Sequence, residues 1–388
     1  SQADLFTAIQ NHDLGLGEVE LWTLADYVRT LSYNYAPQGE FATPANTEGT
    51  ADIEPFAGGA GVIAGQVING TAGSASPAGE VIQLRAFDMN ANFVDAITTT
   101  LAADGSFRFS GIDPSVPAQF EPLVVYRDIP YFGDLETAVT LTQEQPEANV
   151  NLTVYETTDS ASDIRLERLH IVFDLPAPGR MQVAELYILS NDGDRTYVGT
   201  LESGTLRLTE PDGAISFQSG GDPNRYLTLA DGIADTVPIP PGQSTAESVV
   251  VYDIAYSDEL DLSRPLPYDV SSVNIFVPSD AGIDISGDQI RSAGPFQAQG
   301  TLLDTYLADD LPAGERLTLR VSGEPQVSAS ALAPPINEPS GPSDTQSVVI
   351  GAIALVGAVI LAYLYWQGHL GLRLQPASQD RQSDLLPV

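Results

Sequence analysis

Cysteine and lysine are both absent from this sequence of 388 residues. Without cysteine the chain has no disulfides, thiolate metal sites or iron–sulfur clusters, and it lacks the Cys-x-x-Cys-His motif that attaches haem. Without lysine, all 16 basic residues are arginines, which excludes Schiff-base lysines and the lysine of phosphate-binding loops. These residues therefore cannot hold haem covalently.

Basic residues of any kind are few. The sequence has 16 arginines and 52 acidic residues, which gives a formal net charge of −36. A surface of this charge repels phosphate backbones and anionic headgroups, so we expect no nucleic-acid binding. A chain of 388 residues is too long to fold around one ordinary hydrophobic core, which predicts two or three folded units.

Only one long apolar run is present, Val348–Trp366. As a helix its 19 uncharged residues span about 28 Å, close to the thickness of a bilayer core. Arg373 and Arg381 follow the run, whereas Gly323–Gln346 contains no basic residue. The positive-inside rule therefore predicts a single-pass transmembrane helix with the N-terminal bulk outside, periplasmic or extracellular, and a short cytoplasmic tail.

The predicted membrane helix carries Ala354, Ala358 and Ala362 at intervals of four residues. Small residues on one face allow close packing against another membrane helix. Alanine is also common in such helices without any packing role. No signal peptide is visible in Ser1–Gln10, so we expect that, if the protein is exported, this sequence is its mature or shortened form.

Short alternating runs between turn residues fill the middle of the chain and predict strands. We interpret Asp104–Gly105, Asp192–Gly193 and Asp212–Gly213 as hairpin turns. The strands favour two tandem β-sandwiches, so the predicted fold class is mainly β. The first set of runs is GVIAGQVING, GEVIQLRAFD, FVDAITTTLAADGSFRFSGI and FEPLVVYRDIPYFG. The second includes DIRLERLHIVFDL, MQVAELYILSNDGDRTYVG, GTLRLTEPDGAISFQ, ESVVVYDIAYS, SSVNIFVPS and ERLTLRVSG.

The first β region has a recognisable order of motifs. A glycine-bounded strand, a Pro-x-Gly turn, a second strand and the motif Asp-Gly-x-Phe-x-Phe follow one another across residues 60–155. This order resembles the carboxypeptidase regulatory-like, or transthyretin-like, sandwich of exported bacterial proteins. The resemblance implies a fold and a stabilising or binding role, without an activity. The second region looks like an uncharacterised domain of bacterial membrane-anchored proteins that also carry a c-type cytochrome module.

The stretch Gly17–Tyr35 predicts an amphipathic helix. Its apolar residues recur at helical spacing, with acids early and an arginine late. The segment ELWTLADYVRTL, with Trp22, Tyr27 and Leu31, resembles the final helix of class I c-type cytochromes. That resemblance implies a helix that packs across the haem-attachment helix. The apolar stripe consists of Leu21, Leu24, Ala25, Val28 and Leu31.

Two departures from the cytochrome pattern leave two explanations. The attachment motif is missing, and the only methionines, Met89 and Met181, lie far downstream of the place of an axial ligand. Either a haem c module precedes Ser1, or the cytochrome has degenerated to a structural remnant. We favour the first explanation, because an isolated helix has no core of its own against which to bury the stripe.

Candidate catalytic constellations are sparse. His12, His170 and His369 are the only histidines, and a metal site or a Ser-His-Asp triad at His170 is conceivable. The run around His170 alternates as a strand, which favours a strand histidine with a satisfied ring nitrogen. Asp88–Asp95 loosely resembles a calcium loop but lacks its glycine and final glutamate, which favours a hydrated hairpin turn. We expect no enzymatic activity, no metal and no catalytic residue.

These observations lead to one functional hypothesis and one alternative. The first is a membrane-anchored extracytoplasmic accessory or cytochrome subunit that supports electron transfer in a respiratory or photosynthetic complex. Its partners would be other redox subunits or a basic soluble c-type cytochrome. The acidic surface would steer such a cytochrome toward the protein, and this attraction should weaken as the salt concentration rises. The alternative is a cell-surface adhesion or carbohydrate- or protein-binding protein.

The predicted segments are a cytochrome-like helix (1–36), a linker (37–58), two β-sandwiches (59–157 and 158–324), a second linker (325–346), the membrane helix (347–367) and a tail (368–388).

Overall fold

The computed structural model describes residues 56–326, except 90–91, 134–138, 201, 221–222 and 299–300. These residues form 25 β-strands and one turn of 3₁₀ helix, Pro223–Arg225. The prediction of a mainly β chain is thereby confirmed. In the part of the chain so described, no helix has the length and apolarity needed to cross a bilayer.

Several predictions concern residues beyond this range. The cytochrome-like helix with Trp22, Tyr27 and Leu31 lies outside the described residues. So do the predicted membrane helix, with Ala354, Ala358 and Ala362, and the cytoplasmic tail.

The first β body, residues 56–155, contains two sheets. One has the strand order β4-β1-β7, with β8 also paired to β1, and the other has the order β3-β2-β5-β6. Side chains from both sheets, such as Ile63 and Phe107 from one and Ile82 and Leu84 from the other, share one core. The strands are β1 (Ala57–Asn69), β2 (Val81–Phe87), β3 (Phe93–Thr100), β4 (Ser106–Ile112), β5 (Gln119–Tyr126), β6 (Ile129–Phe132), β7 (Glu147–Asn149) and β8 (Leu152–Val154).

The second β body, residues 156–326, is built on a seven-stranded sheet of order β14-β17-β11-β10-β20-β23-β22. Neighbours in this sheet are antiparallel except β10 and β20. Smaller sheets are β12-β9, β13-β16-β15, β18-β25-β21 and β19-β24. The strands are β9 (Thr157–Thr158), β10 (Ile164–Ala177), β11 (Arg180–Asn191), β12 (Thr196–Tyr197), β13 (Leu206–Thr209), β14 (Ala214–Ser219), β15 (Tyr226–Leu229), β16 (Gly232–Asp235), β17 (Gly242–Ala255), β18 (Glu259–Asp261), β19 (Arg264–Pro265), β20 (Asp269–Pro278), β21 (Asp284–Ser286), β22 (Arg291–Ala298), β23 (Thr301–Leu311), β24 (Arg316–Leu317) and β25 (Arg320–Ser322).

Both faces of the seven-stranded sheet are buried. Along β10, Leu169, Ile171 and Phe173 join the main core, which also contains residues of the smaller sheets. Val172, between them in sequence, points to the opposite face because successive side chains of a strand alternate. There it joins a separate group that we call the back cluster. Its members are Val172, Ala184, Leu186, Ile188, Val249, Val251, Phe276, Phe296 and Leu303.

The Asp-Gly pairs form turns, but the hairpin prediction is wrong for all three. The strands on either side of each pair belong to different sheets, so these turns lead the chain from one sheet to another. Gly105 and Gly213 do have positive φ, of 82° and 81°. The β5–β6 hairpin instead turns at Arg127 and Asp128, with φ of 55° and 63°. Both residues adopt the left-handed conformation of a type I′ turn without glycine.

Candidate functional site

The outward face of sheet β3-β2-β5-β6 carries an exposed aromatic surface around Arg85. Alternation along β2 buries Ile82 and Leu84 and turns Arg85 and Phe87 outward. The Arg85 guanidinium lies 5.2 Å from the ring centroid of Phe87 and 5.1 Å from that of Phe132. We call Arg85, Phe87, Phe93, Glu121 and Phe132 the Arg85 platform.

The strand register explains how this platform assembles. Phe87 of β2 pairs with Phe93 of β3, and the two rings meet edge to face at 6.0 Å. Arg85 pairs with Glu121 of β5, and both its Nε and its Nη2 donate to Glu121 Oε2, with Nε at 3.1 Å. A partly buried ion pair therefore fixes the guanidinium between two rings before any partner arrives.

The platform exposes large apolar side chains to solvent. Phe93 is 60% exposed and Phe132 is 44% exposed. Met89, in the turn that joins β2 and β3, is also exposed. Phenylalanine, methionine and arginine are enriched at protein interfaces. A few residues of an interface, often including an arginine, carry most of the binding energy. Flat exposed rings also stack on other flat ligands.

Hydrogen bonds tie the two β bodies together near the β9–β12 pair. The Thr71 hydroxyl donates to the Asp194 carbonyl at 2.7 Å, and the Ala72 amide donates to the Asp194 carboxylate at 2.9 Å. The hydroxyls of Tyr131 and Thr196 lie 2.8 Å apart. These contacts join the body that carries the Arg85 platform directly to the second body.

Glu156, the first residue of the second body, consolidates the same junction. It accepts hydrogen bonds from the Tyr126 hydroxyl at 2.6 Å, from Arg127 Nε at 2.9 Å and from Asn69 Nδ2 at 3.1 Å. These donors, Tyr126 first, hold the pKa of Glu156 below its usual value. The carboxylate therefore stays charged where the chain passes between the bodies.

His170 lies in the middle of β10, as the strand pattern predicts, and it is 0% exposed. The prediction of a satisfied ring nitrogen is wrong. In the part of the chain that the structure describes, neither Nδ1 nor Nε2 has a hydrogen-bond partner, and the ring stacks on Phe276 at 6.0 Å. Burial, and then the Arg168 charge, lower the pKa of His170 from 6.5 to about 3. The ring is therefore neutral and faces the apolar back cluster.

A charged cluster lies on the other side of the same sheet. Glu185 is 3% exposed and accepts hydrogen bonds from the hydroxyls of Tyr187 at 2.5 Å and Tyr252 at 2.8 Å. Arg264 Nη2 donates to the same carboxylate at 2.7 Å. Burial raises the pKa of both tyrosines, so the hydroxyls stay protonated and act as donors. Glu185 has its bonds satisfied, which indicates a structural role.

The other sequence candidates do not assemble a site in the described residues. No group of three or more potential metal ligands occurs there. Asp88 and Asn92 close the β2–β3 hairpin, with two hydrogen bonds of 2.9 Å from Asn92 to the Asp88 carboxylate. Met181 is buried in the main core and Met89 is exposed in the first body. His12 and His369 lie outside the described residues.

Comparisons with known proteins give little further guidance. No protein-family model matches the chain, and no curated protein matches it. An M1 zinc metallopeptidase from Deinococcus radiodurans is 13% identical, with a TM-score of 0.27, and the match covers 42% of each chain. A putative protease from Parabacteroides distasonis is 13% identical over 42% of this chain and 41% of that chain, with a TM-score of 0.26. The RrgB pilus protein of Streptococcus pneumoniae is 9% identical over 68% of this chain and 62% of that chain, with a TM-score of 0.17. These scores are too low to indicate a shared activity.

Proposed function

We propose that this chain is a membrane-anchored extracytoplasmic accessory subunit that supports electron transfer in a respiratory or photosynthetic complex. Its two β bodies, interpreted as tandem β-sandwiches, act as a scaffold. The Arg85 platform is the observation that carries the proposal, because it provides a preformed surface on which another subunit docks. The redox context rests on the cytochrome-like helix, and the anchoring rests on Val348–Trp366.

A scaffold has to hold its docking surface at a defined orientation. The hydrogen bonds of Thr71, Ala72 and Tyr131 to the second body support this requirement, since they restrict motion between the platform and the rest of the chain. The second body is the one that leads to the proposed membrane helix. The second body and the membrane helix would then set the height and orientation of the Arg85 platform above the bilayer.

Haem attachment does not fit the residues of this chain. Thioether bonds to haem c require cysteine, and the sequence has none. Any haem of the proposed complex therefore belongs to an upstream module or to another subunit. The role proposed for these residues is to bind and orient a redox partner.

The proposal predicts that platform residues retain partner subunits. The full chain, affinity-tagged and extracted from native membranes in mild detergent, should co-purify with other subunits and show a Soret band. The double variant F93S/F132S should lose that co-purification by tenfold or more, because hot-spot truncations each cost about 2 kcal/mol or more. Both rings are exposed, so the variant should fold normally.

Ile215 supplies a matched control for this experiment. It is also an exposed apolar residue, 69% accessible, but it lies on β14 of the second body. I215S should retain the partners. A colourless, solitary wild-type protein would contradict the electron-transfer role, and equal retention by F93S/F132S and wild type would contradict docking at the platform.

The exposed rings of Phe93 and Phe132 also favour a second candidate function, adhesion through carbohydrate or protein ligands. Aromatic rings exposed on a flat sheet can stack on sugar faces as well as on protein side chains. Under this alternative the purified wild-type chain binds glycans without any redox subunit. F93S/F132S then loses glycan retention, whereas I215S keeps it.

A further inference from the structure

The back cluster is buried although its described members come from a single layer. Phe276 and Leu303 are 0% exposed, and the other members are at most 7% exposed. Every described apolar member of the cluster lies on the seven-stranded sheet itself. The main core, by contrast, draws residues from several sheets. A sheet face that is buried to this extent requires a second layer of structure packed on it.

The cover must be apolar. His170 lies at the centre of this face, beside Leu186 on one neighbouring strand and Asn274 on the other. Both of its ring nitrogens are buried without a hydrogen-bond partner. Polar side chains in the cover would supply such partners. The element that covers the back cluster therefore presents an apolar side to the sheet.

The segment Gly17–Tyr35 has the surface that this position requires. Its apolar stripe covers one side only, and the opposite side is polar, with Thr23, Asp26 and Thr30. Val348–Trp366 is instead apolar on every side, as lipid contact demands. A helix that covers a sheet at the protein surface needs one apolar and one polar side.

Dimensions and chain length agree with this placement. A helix of the length of Gly17–Tyr35 is about 28 Å long. Seven strands spaced by about 4.8 Å give a sheet roughly 29 Å wide between its edge strands. The connection to β1, residues 37–56, reaches about 65 Å when extended, which is ample to place the helix on either face.

We propose that Gly17–Tyr35 docks as a helix on the back cluster, with Leu21, Leu24, Val28 and Leu31 facing the sheet. The cytochrome-like segment then has a core within its own chain, which favours the explanation of a structural remnant. This inference goes beyond the proposed function and does not depend on it. The helix completes the second β body whether or not a redox partner binds.

The absence of native cysteine makes a direct test straightforward. Ala184 lies within the back cluster, between Val172 and Val251 on its neighbouring strands. A184C is combined in the full chain with one cysteine on the segment, and the pairs are oxidised mildly. Cleavage in the 37–55 connection then releases the N-terminal fragment unless a disulfide holds it. The stripe pairs use L21C, L24C, V28C or L31C, and the matched polar-side pairs use T23C, D26C or T30C.

The proposal predicts that at least one stripe pair retains the fragment and that no polar-side pair does. Retention by the polar-side pairs equal to that of the stripe pairs, or release of the fragment in every pair, would overturn it. Cross-linking of A184C to A354C in the apolar C-terminal run would overturn it in favour of that run. This experiment needs no partner subunit, so its failure is separate from failure of the proposed function.

A second measurement uses the two tryptophans, one in each candidate segment. W366F leaves Trp22 as the only tryptophan, and W22F leaves Trp366, so excitation at the red edge of the tryptophan band selects one segment. In the folded W366F chain, the Trp22 emission should shift to longer wavelength when A184E places a charge in the back cluster. I215E, on an exposed site of the same sheet, should leave the Trp22 emission unchanged. An unchanged Trp22 spectrum in folded A184E would contradict docking.

Discussion

Replacing Arg264 by alanine will destabilise the second β body by about 3–5 kcal/mol, the cost of leaving one member of a buried ion pair alone. Glu185 would remain buried in the main core with only the hydroxyls of Tyr187 and Tyr252 as donors. Among the described residues, Arg264 is the arginine that forms an ion pair with Glu185, so its removal leaves that charge without this cation. Chemical unfolding of the purified full chain, followed by circular dichroism, measures the effect.

Two further variants separate the cause from a general effect of losing an arginine. R207A removes an ion pair with Asp231 in which both side chains are half exposed, so the expected loss is below about 1 kcal/mol. The double variant E185Q/R264M should recover part of the loss, because it leaves no isolated buried charge. If R264A and R207A cost the same, the Glu185 cluster has no special role in stability.

The second large effect concerns the pH dependence of folding stability, to which two groups on the back face of the seven-stranded sheet contribute in opposite directions. The pKa of His170 is lowered by burial from 6.5 to about 3. Between these pH values the unfolded chain binds a proton that the folded chain does not, so folding stability falls as the pH falls. Each pH unit in this window changes the free energy of unfolding by roughly 1.4 kcal/mol.

Glu247 acts in the opposite direction. Burial raises its pKa from 4.5 to about 7, against the opposing charges of Arg225 and Arg168. Between pH 4.5 and 7 the folded chain keeps a proton that the unfolded chain has lost, so stability falls as the pH rises. From about pH 4.5 to 6.5 the contributions of His170 and Glu247 therefore cancel.

Single variants should reveal each contribution. Relative to wild type, the unfolding free energy of H170L should decline as the pH rises from 4.5 to 6.5, and that of E247Q should increase over the same range. The double variant should again resemble wild type. Urea titrations at several pH values test this, and parallel curves for wild type and both single variants would contradict the assignment.

Strand positions follow well from the sequence, because alternation is a local property. The run Val81–Phe87 alternates, and it forms β2 with Ile82 and Leu84 inside. The long run around His170 forms β10 as predicted. Periodicity does not show, however, that β10 is buried on both faces, and so the ring of His170 was expected to find a hydrogen-bond partner.

Pairing between strands is much harder to predict than the strands themselves. Asp104–Gly105 has the composition of a hairpin turn, and Gly105 has positive φ, yet β3 and β4 pair with other strands. The real β5–β6 hairpin turns at Arg127 and Asp128, which give no glycine signal. Turn chemistry fixes the local backbone, whereas the choice of partner depends on which core each strand joins.

The Arg85 platform illustrates the same limit for a functional surface. Alternation along β2 places Arg85 and Phe87 outward, which the sequence does reveal. Their neighbours Phe93, Glu121 and Phe132 come from three other strands, so the platform exists only once the sheet order is known. An outward arginine and phenylalanine two residues apart on one strand was the available signal.

The central claim is that both β bodies stand on the outer side of a membrane, and cysteine accessibility tests it most directly. Glu144 is an exposed residue of the first body, and Ser383 lies in the predicted cytoplasmic tail. Single-cysteine variants E144C and S383C of the full chain are treated, in spheroplasts, with a membrane-impermeant maleimide. The account predicts labelling of E144C in intact spheroplasts and of S383C only after lysis. Labelling of S383C before lysis, or protection of E144C until lysis, would contradict it.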